Sequence, residues 1–177
     1  MSWAVYHLLS HPAELAKLQT ELNDLGTLAP DQLAQAPFLK AIVQETLRLH
    51  PIVTEVLRVL KSPMQLGDFS IPAGMAVAAA SVLTHYDASI YPEPDQFVPA
   101  RFLEKKYSSS EYFPFGGGHR RCAGAAFATY EMAIVLGTLF GSYDFELLEK
   151  RTVIPKRRNV TMGPSRRILV AASRKTT

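Results

Sequence analysis

Residues 113–124 read Phe-Pro-Phe-Gly-Gly-Gly-His-Arg-Arg-Cys-Ala-Gly and run directly into a helical pattern that continues to about Phe140. No other stretch restricts the chain as much. Three successive glycines let the backbone turn tightly, so the segment is predicted to be a loop that delivers Cys122, flanked by Arg120 and Arg121, to the mouth of a helix. Two phosphate-binding readings fail on residue identity. A Walker loop needs a lysine directly after its last glycine, and none is present. A dinucleotide fingerprint beginning at Gly116 needs a third glycine where Arg121 stands. What remains is a thiol at a helix N-terminus, where unpaired N–H groups and the positive end of the helix dipole favour the thiolate. The glycines at 116–118 are expected to aim amides at the sulfur, and Gly124 to let a flat partner approach the first helical turn. An inert buried cysteine is the commoner fate of a lone Cys; the arginines and glycines around this one argue for chemistry.

Cys122 is the only cysteine, which excludes a disulfide framework. The 177 residues are 47% hydrophobic and 20% charged, values of a globular chain and not of a disordered one. That length suits one domain. The basic runs Lys156-Arg157-Arg158 and Arg166-Arg167 carry no interleaved aromatics of the kind that stack on bases, so they read as solvated surface and no nucleic-acid partner is expected. The longest weakly polar stretch is read as residues 73–83, well short of the roughly 20 residues of a membrane helix, so no membrane segment is expected. Residues 1–9 lack the basic region and cleavage site of a secretory signal.

The first half is predicted to be helical. Residues 2–9 read as the last turns of a helix, and Ser10-His11-Pro12 as a cap and first-turn proline. Leu15, Leu18, Leu22 and Leu25 follow at helical spacing, and Gly26 stops them. Pro30-Asp31 begins a short piece, and Pro37 opens a helix ending at His50-Pro51. Its stripe is Phe38, Leu39, Ile42, Val43, Thr46 and Leu49, with Glu45 and Arg48 three apart on another face. Residues 55–60, 65–71 and 75–79 then read as short strands with turns at Gly67-Asp68 and Pro72-Ala73-Gly74, as do 143–148, 153–162 and 167–172 near the end. Residues 91–102 hold Pro92, Pro94 and Pro99, so an ordered meander is expected there. His7 and His11 are four apart, but no third ligand lies nearby in sequence and no metal pair is read.

Phe115-x-x-Gly118-x-Arg120-x-Cys122-x-Gly124 resembles the haem-binding signature of the cytochrome P-450 family of haem-thiolate monooxygenases, agreeing at every defined position. Three further landmarks resemble the family's in the family's order. These are Glu45-Thr46-Leu47-Arg48 for its Glu-x-x-Arg helix, His85-Tyr86-Asp87 with Tyr91-Pro92-x-Pro94 for the linking segment, and Phe97-Val98-Pro99-Ala100-Arg101-Phe102 for its meander. The resemblance implies a mixed α and β, mainly helical fold with small peripheral sheets and a proximal haem-binding loop. It implies haem (iron protoporphyrin IX) as cofactor and Cys122 as the axial iron ligand, with Phe115 shielding the sulfur and Arg120 on a haem propionate. Gly118 and Gly124 complete the signature, and Arg58 resembles the family's second propionate-binding arginine. His119 and Arg121 are weaker candidates, solvated or facing a partner. Glu45, Arg48 and Arg101 resemble the family's structural triad, expected as a buried network in place of an ordinary surface pair.

By the same resemblance, residues 1–177 form the C-terminal part of a single monooxygenase domain, from the tail of the central helix onward. The oxygen-activating acid–alcohol pair of that helix has no counterpart here. The pocket-lining segments are expected at Ile52, Val53, Thr54, Glu55 and Val56 and at Thr161-Met162, with Glu55 facing either substrate or solvent. The implied activity is insertion of one oxygen atom from O2 into a small organic substrate. A ferredoxin, flavodoxin or flavoprotein reductase would supply electrons on the face bearing His119, Arg120 and Arg121. A haem-binding or interaction fragment without turnover is the alternative, as is a branch that rearranges peroxides. A soluble, cytoplasmic location is the default expectation.

Overall fold

The fold is that of a computed structural model, which describes residues 1–149 and 151–175. Four helices come first: α1 (Ser2–Ser10), α2 (Pro12–Leu25), α3 (Pro30–Gln35) and α4 (Pro37–Leu49). Proline stands in the first turn of α2, α3 and α4, where its missing N–H has no intrahelical partner to lose. Gly26 ends α2 in the left-handed conformation. The expected side-chain cap at Ser10-His11 does not form; the Nδ1 of His11 turns back to the carbonyl of His7, 2.8 Å away. In its place, a carboxylate from α2 caps α4. The two Glu21 oxygens accept the N–H groups of Phe38 and Leu39 at 2.7 and 2.8 Å.

Next follow β1 (Glu55–Val59), β2 (Met64–Leu66), β3 (Phe69–Ile71), β4 (Ala76–Ala80), α5 (Ser81–His85) and α6 (Arg101–Glu104). A 3-10 turn at Gly118–Arg120 precedes α7 (Ala125–Ser142), and β5 (Tyr143–Leu147), β6 (Pro155–Arg158), β7 (Thr161–Pro164) and β8 (Val170–Arg174) complete the order. The strands form four two-stranded antiparallel sheets: β1 with β4, β2 with β3, β5 with β8 and β6 with β7. The turn expected at Gly67-Asp68 is present, while the reading of residues 153–162 as one strand is corrected. Residues 65–71 form a hairpin about Gly67-Asp68, and residues 153–162 break at Asn159, whose φ of 58° turns the chain so that Arg158 faces Thr161. The helices α5 and α6 were not anticipated, the first because residues 81–85 make barely more than one turn.

The core is helical. Leu8, Leu18, Leu33, Leu39, Ile42, Leu136 and Phe140 bring α1, α2, α3, α4 and α7 around one apolar centre, and Phe97 of the meander closes one side. The sheets lie outside it, with Leu57, Val59, Leu66 and Phe69 all more than half exposed. Helix α4 is buried on both faces: its apolar stripe enters the core, and the opposite face with Glu45 and Arg48 lies under the meander. Among the described residues, α7 is the one helix long and apolar enough to cross a membrane by length and composition, which corrects the choice of residues 73–83 as the longest such stretch. It packs on α4, α3 and α2 through Met132, Ala133, Leu136, Gly137 and Phe140, as a core helix does.

Candidate functional site

The loop before α7 is folded by its own main chain. Gly116 donates to Phe113 O at 3.0 Å, Arg121 to Gly118 O at 3.1 Å, and Cys122 to Phe115 O at 3.0 Å. Gly116 and Gly118 sit at φ of 70° and 63°, where a side chain would be strained, so glycine is required at both turns. The result carries Cys122 to the surface of the protein two residues ahead of the Gly124 cap. The amides at 116–118 do not converge on the sulfur as expected: among the described residues no N–H bonds to Sγ, and the amide of Arg121 is spent on the turn. A Cβ at position 124 would stand 3.8 Å from Sγ, so glycine keeps the flank of the sulfur clear.

Cys122 opens into a cleft of about 800 Å³, within the range of small-molecule and cofactor sites. Its walls are largely apolar, from Leu47, Val56 and Val77 on one side to Phe113 and Phe115 on the other. Of the residues expected at the site, Cys122, Phe115, Arg120, Arg58, Ile52, Val53 and Val56 share this cleft. Gly118 and Gly124 shape the loop without lining it. Thr54, Glu55, Thr161 and Met162 also lie off the lining and form a clasp beside it. There the N–H of Met162 donates to Ile52 O at 2.7 Å, Arg157 pairs with Glu55, and the Thr54 hydroxyl donates to the Glu55 carboxylate. Thr161 turns back to the carbonyl of Arg158 at 2.9 Å. The Glu55 side chain is about one-third exposed, and the Thr54 hydroxyl, with Arg157, holds its carboxyl below the usual range. Sequence reasoning missed Ser81, Thr84, Ser109 and Ser110, polar groups on the cleft wall that lie in no glycine-rich or charged pattern.

Behind the cleft, Glu45, Arg48 and Arg101 form one buried cluster. Arg48 Nε and Nη2 reach the two Glu45 oxygens at 2.7 and 2.9 Å, and Arg101 Nε reaches Glu45 Oε1 at 3.2 Å. The guanidinium of Arg48 also donates to the carbonyls of His85, Pro94 and Gln96, so all five of its N–H groups are used. Arg101 donates to Pro92 O at 2.9 Å, and Glu45 accepts the N–H of Val98. Two charges of one sign and one of the other are thereby held in the interior, each paired and hydrogen-bonded, the condition under which burial of charge is tolerated. Since Leu47 of the same helix lines the cleft, α4 joins this cluster to the site.

The donor set of the cleft fits haem. Apolar walls suit a flat macrocycle, the single soft sulfur suits iron, and two guanidinium groups suit carboxylates. Among the described residues neither Arg58 nor Arg120 pairs with an acid; Arg58 donates to the main-chain oxygen of Leu57.

A family model described as Cytochrome P450 matches residues 1–171. Cytochrome P450 135B1 of Mycobacterium tuberculosis is 37% identical, over 98% of this chain and 37% of its own. Cytochrome P450 3A16 of Mus musculus is 34% identical, over 96% of this chain and 35% of its own. Sterol 14alpha-demethylase of Mycolicibacterium vanbaalenii is 33% identical, over 84% of this chain and 34% of its own. The chain spans about a third of the length of these relatives.

Proposed function

The chain belongs to the cytochrome P450 family, and from that premise we propose that it forms the haem-cradling, C-terminal part of a haem-thiolate monooxygenase domain, with Cys122 as the iron ligand. The whole protein then inserts one oxygen atom from O2 into a small organic substrate, using electrons from a redox partner. The observation that carries the reading is one exposed thiol opening into an apolar cleft that two acid-free arginines also line.

Bound there, haem supplies the oxygen chemistry, in which a thiolate ligand pushes electron density to favour O–O cleavage. The chain's own residues bind and orient. Cys122 gives the sulfur, and Phe115 stands beside it in the cleft and keeps water from that flank. Arg58 and Arg120 take the two carboxylates of the macrocycle, which fixes its rotation in the cleft. Glu45, Arg48 and Arg101 hold the meander in position and do no chemistry. Ile52, Val53 and Val56 offer an apolar wall, so an apolar face of the substrate rests there. The hydrogen bond from Met162 to Ile52, beside the Thr161 turn, steadies that wall. His119 and Arg121 are exposed beside the loop and suit an acidic ferredoxin, flavodoxin or flavoprotein reductase, with electron delivery that weakens as salt rises.

A second reading, haem binding without turnover, is favoured by one feature: among the described residues no carboxylate or imidazole lines the cleft, so this chain brings no acid to it. A reduced, carbon-monoxide difference spectrum of the haem-loaded chain, beside Cys122→Ser, tests ligation. A strongly red-shifted Soret band in the first, absent from the second, is expected. The same band in both would overturn the assignment of Cys122. Substrate oxidation on adding the remainder of a family domain in trans separates the two readings.

A further inference from the structure

We infer that His85 is a positioning residue for the thiol of Cys122: as a neutral imidazole protonated on Nδ1, it ties the end of α4 to the loop that carries the sulfur. His85 is fully buried. Its Nε2 stands 3.1 Å from the N–H of Phe113, and its Nδ1 stands 3.2 Å from the carbonyl of Arg48. These partners fix its state. A backbone N–H only donates, so Nε2 must offer a lone pair; a carbonyl only accepts, so Nδ1 must carry the proton. The imidazolium, a donor at both nitrogens, would set N–H against N–H at Phe113.

What the ring holds is the start of the cysteine loop. Phe113 is anchored by its N–H to His85 and by its carbonyl to Gly116, and the next carbonyl in the relay, Phe115 O, accepts the N–H of Cys122. On the other side, Arg48 returns the contact by donating Nη1 to His85 O at 2.6 Å. The loop bearing the sulfur is therefore coupled to the Glu45–Arg48–Arg101 cluster through one side chain. Tyr112 stacks on the ring at 5.6 Å between centroids, and Tyr91 and Phe113 meet it edge-on.

The charged and titratable groups around the ring all leave it neutral at physiological pH. Arg48 of α4 repels an imidazolium, and Glu45 is already engaged by Arg48 and Arg101. The phenols of Tyr91 and Tyr112 are pushed up by burial and stay uncharged. Burial, with the Arg48 charge, lowers His85 to about 4 against the opposing hydrogen bond to Arg48 O. A neutral core histidine bonded to any two main-chain groups would be only structural. Here one of the two groups lies in the loop that presents the sulfur, which gives the residue a readout at the thiol.

The geometry stands on its own, while its meaning for haem rests on the proposed iron–thiolate reading, so the experiment has two arms. The full chain is compared as wild type, His85→Gln and His85→Leu. Glutamine both donates and accepts and does not titrate; leucine does neither. In hydrogen exchange followed by mass spectrometry at pH 7, peptides covering 113–122 are expected to exchange at least about tenfold faster in His85→Leu and within about twofold of wild type in His85→Gln. Peptides from α7 and the β5–β8 sheet serve as the fold control. Below about pH 4 the wild type should lose protection in 113–122 that His85→Gln keeps at the same pH. In the haem-loaded arm, the red-shifted carbon-monoxide band should shrink in His85→Leu, persist in His85→Gln, and fade in acid at a higher pH in wild type than in His85→Gln. Equal exchange of 113–122 in wild type and His85→Leu, with α7 protected, would overturn the inference. If His85→Leu does not fold, equal acid profiles of wild type and His85→Gln would overturn it instead. A wild type with the expected exchange pattern but no red-shifted band would refute the haem–thiolate reading and leave the role of His85 standing.

Discussion

Replacing Arg48 by lysine keeps the charge and removes the fork, and the structure gives a magnitude for that change. Five acceptors surround the guanidinium: two Glu45 oxygens and the carbonyls of His85, Pro94 and Gln96. Lysine has three N–H groups, so two acceptors lose the Arg48 donor; Glu45 Oε1 still accepts from Val98 N–H and Arg101 Nε, so at least one acceptor is left with none. Each orphaned buried acceptor costs about 1–3 kcal/mol, so one or two of them place the loss at about 1–6 kcal/mol with the charge still present. Against a typical total of about 5–15 kcal/mol, that is a large share of the stability. With a mid-range urea dependence of about 2 kcal/mol per molar, the unfolding midpoint should fall by roughly 0.5–3 M. The control is Lys17→Met. Lys17 also pairs with a glutamate three residues away, at 2.8 Å, but its side chain is 55% exposed, so its removal should cost less than about 0.5 kcal/mol. Urea titrations of the three proteins decide it. If Arg48→Lys costs under about 1 kcal/mol, no more than the surface control, then counting donors against buried acceptors is the wrong account of this cluster.

Gly137 lies inside α7, where propensity alone promises about 1 kcal/mol of gain on changing to alanine. A Cβ there would meet Leu33 Cδ2 at 2.6 Å and Leu39 Cδ2 at 3.0 Å, both side chains fully buried, so overpacking of about 1–3 kcal/mol should prevail and Gly137→Ala should melt at lower temperature. Glu21→Ala should cost about 1–2 kcal/mol in chemical denaturation, since both its oxygens cap α4, and Glu21→Gln should recover part of that. Acid should destabilise the fold through histidines that folding keeps neutral. His85 and His50 are lowered to about 4 and His7 to about 3, burial being the first cause in each. A histidine lowered in this way leaves the unfolded chain binding more protons, so stability is fully present above about pH 6.5 and declines as pH falls toward 4. For His85 the loss amounts to about 3 kcal/mol. Unfolding free energies measured from pH 7 to pH 4 should fall accordingly, and a flat profile would contradict neutral burial.

The helix starts at Pro12, Pro30 and Pro37 and the stop at Gly26 were legible in the sequence because their causes are local: a fixed φ, a missing N–H, a left-handed residue. The turn at Asn159-Val160 was not, because asparagine adopts positive φ in only a minority of its occurrences and neither glycine nor proline stands beside it to mark the break. At the site, the cysteine loop could be named from its own residues, and the members of the buried cluster from the resemblance of their motifs to the family's. The clasp between Glu55 and Arg157, 102 positions apart, could not.

Local residue identity set the bounds of the helices that open on proline, which residue offers sulfur, and which charged residues share a motif. What those residues bond to depends on the packed fold. Arg48 is satisfied by the oxygens of His85, Pro94 and Gln96, and His85 has its protonation set by Arg48 O and the N–H of Phe113. Those partners are peptide groups. Every residue carries the same carbonyl, and every residue but proline the same N–H, so no side-chain pattern marks the particular ones that the fold brings to a buried guanidinium or imidazole.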